Sequence, residues 1–522
     1  MKVLDFTKIN EAAGVTSTAR GTWGGQQPLL VSTHEGLFSA HITHAGSGEG
    51  VPHRDRFGEI ICLGDGNDDN TQRYFSLLFN PIGTTKWHIL GTWQHTIGPP
   101  SIMSDACGNV FVATYADLTI PHTQFNPDLP AFSRNIADIH LDPTVIKYTA
   151  NSFVDEKSWS QDQLTVNVWQ QMTPDWTLSN QRWDDKPHFW SRLSCSQYLT
   201  ANISPDGIIY IVTGERYWQN KFGLTPNGSG HMEIVAFDTN TDEWKAGRVW
   251  TGIRYAYYYI NFLPNKDNIG YDISIIGVRD DYRDFMGYSG FGPDWAFDGF
   301  DYWRISPEFP LRGEAFLSKG EISLPPANFN GWLPPHEAII VKHTVLALAD
   351  VAEHQKIQRQ PTYRSNMQGD VFMDFGCDRE GSLRDGEIHH LWRKQDISTD
   401  FNPVMYHMLI RDGEVVFNKP IFNDARNITM FKDSLNNYYI LEGTGDTIFN
   451  LHIAVGFCDT GWTWQQYETF NIPLGTGMGG IANAYTKGVM GHGGDIVYII
   501  GRAPDESYEF WVFTLDLGNP LL

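Results

Sequence analysis

Residues 91–118, "GTWQHTIGPPSIMSDACGNVFVATYADL", contain a histidine that can either pack or move a proton. His95 precedes a Pro-Pro-Ser-Ile step, a Gly-Asn turn and a strand of alternating apolar residues. An imidazole titrates near neutral pH, so a histidine at the mouth of a cleft can act as a general acid or base. Position alone leaves both roles open, and the elements around His95 must decide between them.

The composition favours strands and turns over helices. Of the 522 residues, 50 are glycine and 14% are aromatic, and short Val/Ile/Tyr/Phe runs are bounded by Gly, Asp, Asn and Pro. These features predict an all-β protein. The formal net charge of -23 argues against nucleic acid as a partner, because a phosphate polymer requires a basic surface.

One pattern recurs along the chain: a Gly or Asn turn followed by a strand of alternating apolar residues. It occurs seven times, at residues 34–44, 107–117, 206–216, 267–277, 385–395, 435–445 and 493–503. Seven such units predict a seven-bladed β-propeller, a single domain over residues 1–522 with a long insertion at about 280–365. His95 then comes just before the innermost strand of a blade, close to the central mouth where such folds bind ligands.

Two further segments support this architecture. In "CDTGWTW", Asp459, Gly461, Thr463 and Trp464 match most of the Asp-box of sialidase-type propellers, which is a structural hairpin turn. The last predicted strand, residues 508–517, is expected to pair with the first blade and so close the ring.

The chain shows no apolar run long enough to span a membrane, so no membrane partner is expected. Residues 1–5 do not form a signal peptide, which leaves either a cytosolic protein or a secreted one whose signal has been removed, and three Asn-x-Ser/Thr sequons favour the second. The five cysteines are widely spaced without a CxxC pair, which indicates neither a zinc knuckle nor a disulfide framework. We expect a monomer, and the disulfide state stays open.

The segment around His95 resembles a family of enzymes, the BNR-repeat propeller polysaccharide lyases that include the ulvan lyases. The closest resemblance is to lyases that act on the L-rhamnose-α-1,4-D-glucuronate ends of gum arabic and arabinogalactan, which are similar in turn to a propeller α-L-rhamnosidase family. His95, Ser101-Ile102 and Gly108 match the first family segment. Tyr115 takes the place where the family often has a second histidine.

A second segment, "SQYLTANISPDGIIYIVTGERYW", carries the same resemblance. Tyr198 and the Asp206-Gly207 turn have the family spacing, while Arg216 lies two residues beyond the usual place of the family arginine. Downstream, "NGSGH" is similar to a family Ser-Gly-Asn-Gly step, with His231 in place of the Asn.

The resemblance implies β-elimination from a uronic acid, which releases rhamnose and leaves an unsaturated glucuronate. Arg216 would neutralise the carboxylate, His95 would take the C5 proton, and Tyr198 would protonate the leaving oxygen. The roles of His95 and Tyr198 are exchangeable. Tyr198 and Arg216 could also be purely structural. Tyr198 could be a ring packed between blades, and Arg216 could form an ion pair with a neighbouring acid.

Other polar aromatic residues are candidates for substrate contacts. His122 and His188 lie near or between the predicted blades, and Tyr258 has a place that resembles a substrate-contacting tyrosine of ulvan lyases. His389 and His390 occupy consecutive strand positions and should point to opposite faces, which favours packing over metal binding.

Two other functions stay open. An α-L-rhamnosidase on the same linkage is expected to use one histidine on the opposite face, near the first blade; Gln26 and Gln27 occupy that place, but His34 and His41 are available. A non-catalytic carbohydrate-binding propeller would need only the aromatic mouth. The partner in each case is an acidic plant or algal polysaccharide. The chemistry requires no cofactor, and a structural Ca²⁺ in the central channel is not specified by any Asp-rich loop.

Overall fold

A computed structural model describes the parts of the chain that form the sheets. The described residues are 2–9, 16–17, 29–44, 74–94, 100–116, 142–150, 169–172, 199–214, 231–250, 255–265, 269–282, 295–307, 312–313, 339–340, 343–348, 368–374, 387–394, 404–411, 414–423, 427–433, 435–444, 448–471, 486–490, 496–502 and 510–517.

These residues form 31 strands in seven small sheets, in which neighbouring strands of the main ladders are antiparallel. Strand β1 (Lys2–Lys8) opens the chain and belongs to the last sheet. Sheet 1 contains β2 (Thr16–Ser17), β3 (Leu30–Ser32), β4 (Gly36–His44), β5 (Tyr74–Pro81) and β6 (His88–Gln94). Sheet 2 contains β7 (Ser101–Ser104), β8 (Val110–Ala116), β9 (Asp142–Tyr148) and β10 (Trp169–Met172).

The next two sheets each have five strands, and sheet 4 contains the two longest strands of the described chain, with 12 residues each. Sheet 3 contains β11 (Thr200–Ile203), β12 (Ile208–Gly214), β13 (His231–Asp238), β14 (Trp244–Trp250) and, from further along the chain, β19 (Ile339–Ile340). Sheet 4 contains β15 (Tyr255–Pro264), β16 (Tyr271–Tyr282), β17 (Trp295–Ser306), β18 (Arg312–Gly313) and β20 (His343–Leu348).

The last three sheets each have four strands. Sheet 5 contains β21 (Gln368–Asp374), β22 (Glu387–Lys394), β23 (Val404–Arg411) and β24 (Glu414–Asn423). Sheet 6 contains β25 (Asn427–Lys432), β26 (Tyr438–Gly443), β27 (Ile448–Gly456) and β28 (Thr463–Asn471). Sheet 7 contains β29 (Thr486–Met490), β30 (Ile496–Arg502) and β31 (Phe510–Asp516), with β1 as its outer strand.

Each of the seven repeats predicted from the sequence overlaps an inner strand of one sheet, six containing it whole and the fourth containing the first part of β16, so the recurring turn-and-strand pattern is confirmed. The strands are β4, β8, β12, β16, β22, β26 and β30. The turn that leads into two of them has the same hydrogen bonds. Asp105 accepts from the backbone of Cys107 and Asn109, and Asp433 accepts from that of Leu435 and Asn437, all at 2.8–2.9 Å.

The core consists of seven apolar clusters, each packed between two neighbouring sheets of the described chain. We call each such layer a seam and name it by its two sheets. One cluster packs sheet 7 against sheet 1, through Ile9, Leu30 and Val512, so the succession of sheets returns to its start. Because burial of apolar side chains drives folding, each sheet depends on both neighbours. The protein is therefore all-β, with small antiparallel sheets consistent with propeller blades.

The C-terminal strand closes the succession differently from the expected way. It was predicted to join the first blade, but β31 lies within sheet 7 and pairs with β1, from Lys2 opposite Asp516 to Lys8 opposite Trp511. The outer edge of sheet 7 is thus completed by the N-terminal strand.

The range 280–365, predicted as an insertion, contains three strands of sheet 4, β17, β18 and β20. Strand β17 pairs with β16 and β20, and the short β19 pairs in parallel with β14 of sheet 3 at Val249 and Trp250. The segment between β17 and β20 therefore contributes a strand to the neighbouring sheet's outer edge.

Candidate functional site

In the sequence, the predicted catalytic residues lie next to strand ends, and these strand ends share one edge of sheets 1, 2 and 3. At this edge the second strand of each sheet ends, and in sheets 2 and 3 the inner strand begins, with Ser101 opposite Ala113 and Thr200 opposite Val212. The Ser101 hydroxyl accepts a hydrogen bond from the backbone N–H of Ala201 at 3.1 Å, so the beginnings of β7 and β11 touch. We call this the entry edge.

Two predicted contact residues lie in strands at the entry edge. Tyr115 is next to last in β8, opposite Pro143, and His231 is first in β13, opposite Trp250. His95, His122, His188, Tyr198 and Arg216 lie outside the described residues. Their assignments stay predictions.

The sequence neighbours of the three predicted catalytic residues are described. His95 follows Gln94, the last residue of β6, which lies opposite the first residue of β5. Tyr198 precedes Leu199 and the start of β11, and Arg216 follows the end of β12 at Gly214 by two residues. The described strand ends that border all three therefore lie at the entry edge.

Tyr258 is placed in the core. Its side chain is 1% exposed, belongs to the seam 3/4 cluster, and its ring centroid lies 6.4 Å from that of Trp303. Tyr259 points the other way, into seam 4/5, as the strand alternation predicts. In this conformation the ring of Tyr258 packs in the core and leaves no open face for a substrate.

The opposite edge carries the tight turns between first and second strands, and we call it the turn edge. His34 lies exposed in the turn between β3 and β4, and a Cβ on Gly108 would come within 2.7 Å of its ring. Gly108 has φ +85°, a left-handed conformation that suits glycine. Next to His34, Glu35 interacts with Tyr148, and burial together with this carboxylate raises the pKa of the Tyr148 phenol.

His389 and His390 point to opposite faces of sheet 5, as predicted. His390 lies edge-on to Phe300 in seam 4/5, with ring centroids 4.4 Å apart, whereas His389 packs against Trp462 in seam 5/6 at 4.7 Å. Both side chains are fully buried. Burial lowers the pKa of His390 to about 3, so it is neutral at physiological pH.

Sequence reasoning did not find a third buried imidazole beside His389. Nδ1 of His389 and Nε2 of His407 are 2.9 Å apart, and burial lowers the pKa of His407 to about 3. His407 lies in β23 among Met405, Met408 and Leu409. A single histidine within an apolar strand was the available signal, but its pairing depends on the register between β22 and β23.

No group of three or more His, Cys, Asp or Glu side chains with metal-binding geometry occurs in the described part of the chain. The same part contains no helix long and apolar enough to cross a membrane. Of the five cysteines, Cys107 and Cys458 are described, and both are free and exposed.

No protein-family model matches the sequence, and no curated protein matches it. Among solved structures, the chain is similar to a protein of unknown function from Dyadobacter fermentans, with 11% identity over 99% of each chain and a TM-score of 0.37. It is also similar to the Hadza microbial sialidase Hz136, with 10% identity over 86% of this chain and 73% of that one and a TM-score of 0.34. A quinohemoprotein alcohol dehydrogenase from Pseudomonas putida HK5 gives 11% identity, 97% and 75% coverage and a TM-score of 0.39. Likeness at this level carries no argument about activity.

Proposed function

We propose that the protein is a carbohydrate-active enzyme, a lyase that cleaves the rhamnosyl-α-1,4-glucuronate linkage of arabinogalactan or gum arabic side chains by β-elimination. The observation that supports this is the entry edge, where the described strand ends adjoin His95, Tyr198 and Arg216 in the sequence. A single seven-bladed propeller over the whole chain belongs to the same proposal, supported by the seven sheets and seven seams of the described residues.

The proposed reaction uses three side chains. The C5 proton of a glucuronate becomes acidic when its carboxylate is neutralised, and a guanidinium such as Arg216 does this through two parallel hydrogen bonds. A neutral imidazole at His95 accepts the proton, and the Tyr198 phenol donates one to the departing C4 oxygen. Since elimination forms a C4–C5 double bond and expels the rhamnosyl alcohol, it requires no cofactor. The substrate is an extracellular polysaccharide, in keeping with a secreted monomer.

The product distinguishes the possible reactions. We expect gum arabic incubated with the enzyme to release rhamnose together with the ultraviolet absorbance of an unsaturated uronate. Rhamnose without that absorbance would contradict the lyase and indicate hydrolysis. A substrate whose glucuronate carboxyl has been reduced to the alcohol should be inert, since its C5 proton is no longer acidic.

Variants test the residues. His95→Ala and Tyr198→Phe should each lower kcat by about two orders of magnitude, the scale of a lost general acid or base. Arg216→Lys should lower kcat more than it weakens binding, because the planar contact stabilises the transition state. Wild-type turnover in either of the first two variants would assign that residue to packing.

A second candidate is the α-L-rhamnosidase, and His34 is the observation that favours it. The related hydrolases are expected to use a histidine on the opposite face near the first blade, and His34 lies exposed on the turn edge of sheet 1, beside Glu35. His34→Ala separates the two: it should abolish rhamnose release by a hydrolase and leave a lyase unaffected.

A further inference from the structure

Seam 5/6 contains a buried pair of imidazoles. His389 on β22 and His407 on β23 are both fully buried, with their ring nitrogens 2.9 Å apart and the rings stacked at 27°. Aromatic rings surround the pair: Trp462 and Trp464 of sheet 6 lie 5.4 and 5.8 Å from His407, and Phe417 lies 5.0 Å from it. Such a cage excludes water, so it tolerates the neutral pair and disfavours a charged one.

A chain of charged groups links this pair to the surface. His389 Nε2 lies 3.8 Å from Glu387 Oε2, and Arg411 donates to Glu387 Oε1 from Nε at 3.0 Å and from Nη2 at 2.5 Å. Arg411 also lies 3.3 Å from Asp459, which is 74% exposed on the turn between β27 and β28. Because Arg411 belongs to sheet 5 and Asp459 to sheet 6, this bridge crosses the seam at the turn edge.

Among the described residues, the titratable or charged groups that border the pair come from both sheets. They are Glu387, Arg411 and Lys419, which lies opposite His407, from sheet 5, with Asp459, Tyr438 and the Lys432 ammonium from sheet 6. Glu387 borders His389 and is shared with Arg411, and Lys432 stands 5.6 Å above the Tyr438 ring. A proton on His407, in contrast, lies among the Phe417, Trp462 and Trp464 rings and opposite Lys419.

The direction of the pH effect follows from burial. Burial lowers the pKa of His407 to about 3 from 6.5 in water, so an open seam binds more protons than a closed one as the pH falls below about 6.5. The closed seam is most stable above that value and loses stability as the pH falls through the window.

We propose that the turn-edge half of seam 5/6 is an acid-operated latch: proton uptake by the His389–His407 pair parts sheets 5 and 6 there while the other seams stay closed. Seam 4/5 carries one buried histidine among the described residues, His390, so its opening brings fewer imidazoles into water. Nearer the entry edge, the contact across the seam is between the Phe422 ring of sheet 5 and the His452 ring of sheet 6, with ring centroids 4.3 Å apart. We expect the opening to be confined to the turn-edge half, where the His389–His407 pair lies.

Hydrogen exchange with mass spectrometry tests the latch on the full chain over a series of pH values, corrected for intrinsic exchange rates. We expect segments 387–394, 404–411 and 457–464 to lose protection at higher pH than the strands of sheets 2 and 3. One linked proton at His407 gives about a tenfold rise in the opening constant per pH unit. Simultaneous loss in all sheets, or loss in seam 4/5 first, would overturn the proposal.

Two variants act in opposite directions. His407→Phe preserves an aromatic ring in the cage and removes the proton acceptor, so opening should become less steep and move to lower pH. Asp459→Asn removes the bridge across the seam at an exposed site where folding is not at risk, so opening should move to higher pH. The exposed Glu243→Gln on sheet 3 removes a charge elsewhere and should change nothing. An Asp459→Asn protein with wild-type opening would overturn the latch even where His407→Phe fails to fold.

Discussion

Replacing His390 with phenylalanine removes a titratable group from the core while keeping a ring of similar size. The imidazole lies edge-on to Phe300 and Tyr259, with ring centroids 4.4 and 5.4 Å away, and neither ring nitrogen has a hydrogen-bond partner among the described residues. An unpaired buried polar atom costs about 1–3 kcal/mol. His390→Phe should therefore be at least as stable as the wild type at neutral pH.

The gain should grow as the pH falls. The folded pKa of His390 is lowered to about 3 against 6.5 when unfolded, so the unfolded chain binds the extra proton between these values and wild-type stability is lost on acidification. Per histidine, the loss is about 1.4 kcal/mol one pH unit below the unfolded pKa and about 2.7 kcal/mol two units below it. The phenylalanine variant lacks this loss.

Urea unfolding midpoints at neutral pH and at two acid values measure the effect. The difference in unfolding free energy between His390→Phe and the wild type should widen by about the amounts above. Ile269→Leu, at an exposed apolar residue, alters no titratable group and should leave the acid dependence unchanged. Parallel curves for His390→Phe and the wild type would refute the assignment of a neutral, buried His390.

Three further results are expected. Gly108→Ala should destabilise the protein through two effects: left-handed backbone strain of about 1–2 kcal/mol and a clash with the His34 ring of about 1–3 kcal/mol. Gly83 also has a positive φ, but a Cβ there would meet nothing within 4 Å. In thermal unfolding, Gly83→Ala should therefore show the backbone strain alone. Deletion of residues 1–9 should lower the Tm and cause association in size-exclusion chromatography, because it exposes the edge of β31 and removes buried Ile9 from seam 7/1. A protein that stays monomeric with an unchanged Tm would contradict this. Asn202 should carry no glycan when the protein is secreted from a eukaryotic host, as read by peptide mass spectrometry, because its amide donates to the Ile260 carbonyl at 3.2 Å across seam 3/4; a glycan there would require that contact to break.

The second strand of each sheet was predictable, and the reason is local. Each follows a tight turn that needs Gly, Asn or Asp, and each alternates apolar residues, as in β12. Strand β17, "WAFDGFDYWRIS", was missed because its Asp and Gly residues break the apolar pattern. The buried Asp301 and the pairing with β16 and β20 show that tertiary contacts decide there.

The opposed faces of His389 and His390 followed from strand alternation alone, whereas the partner of His389 did not. His407 comes beside it only through the register between β22 and β23, and the indole groups around it come from sheet 6. Such non-local contacts leave no periodic trace. His95, Tyr198 and Arg216 were assigned from the family resemblance. The described strands add one observation, that the strand ends next to these residues lie at the same edge.

The pairing of β1 with β31 has a consequence for synthesis of the chain. Residues Lys2–Lys8 are made long before their partners, Trp511–Asp516. Strand β1 must therefore wait with an unpaired edge until β31 has been made, and this long loop closure comes late in folding. Seam 7/1 can also pack only then. A nascent chain stalled before β31 would expose both an open strand edge and an apolar seam, the surfaces that chaperones bind and that aggregate when unprotected.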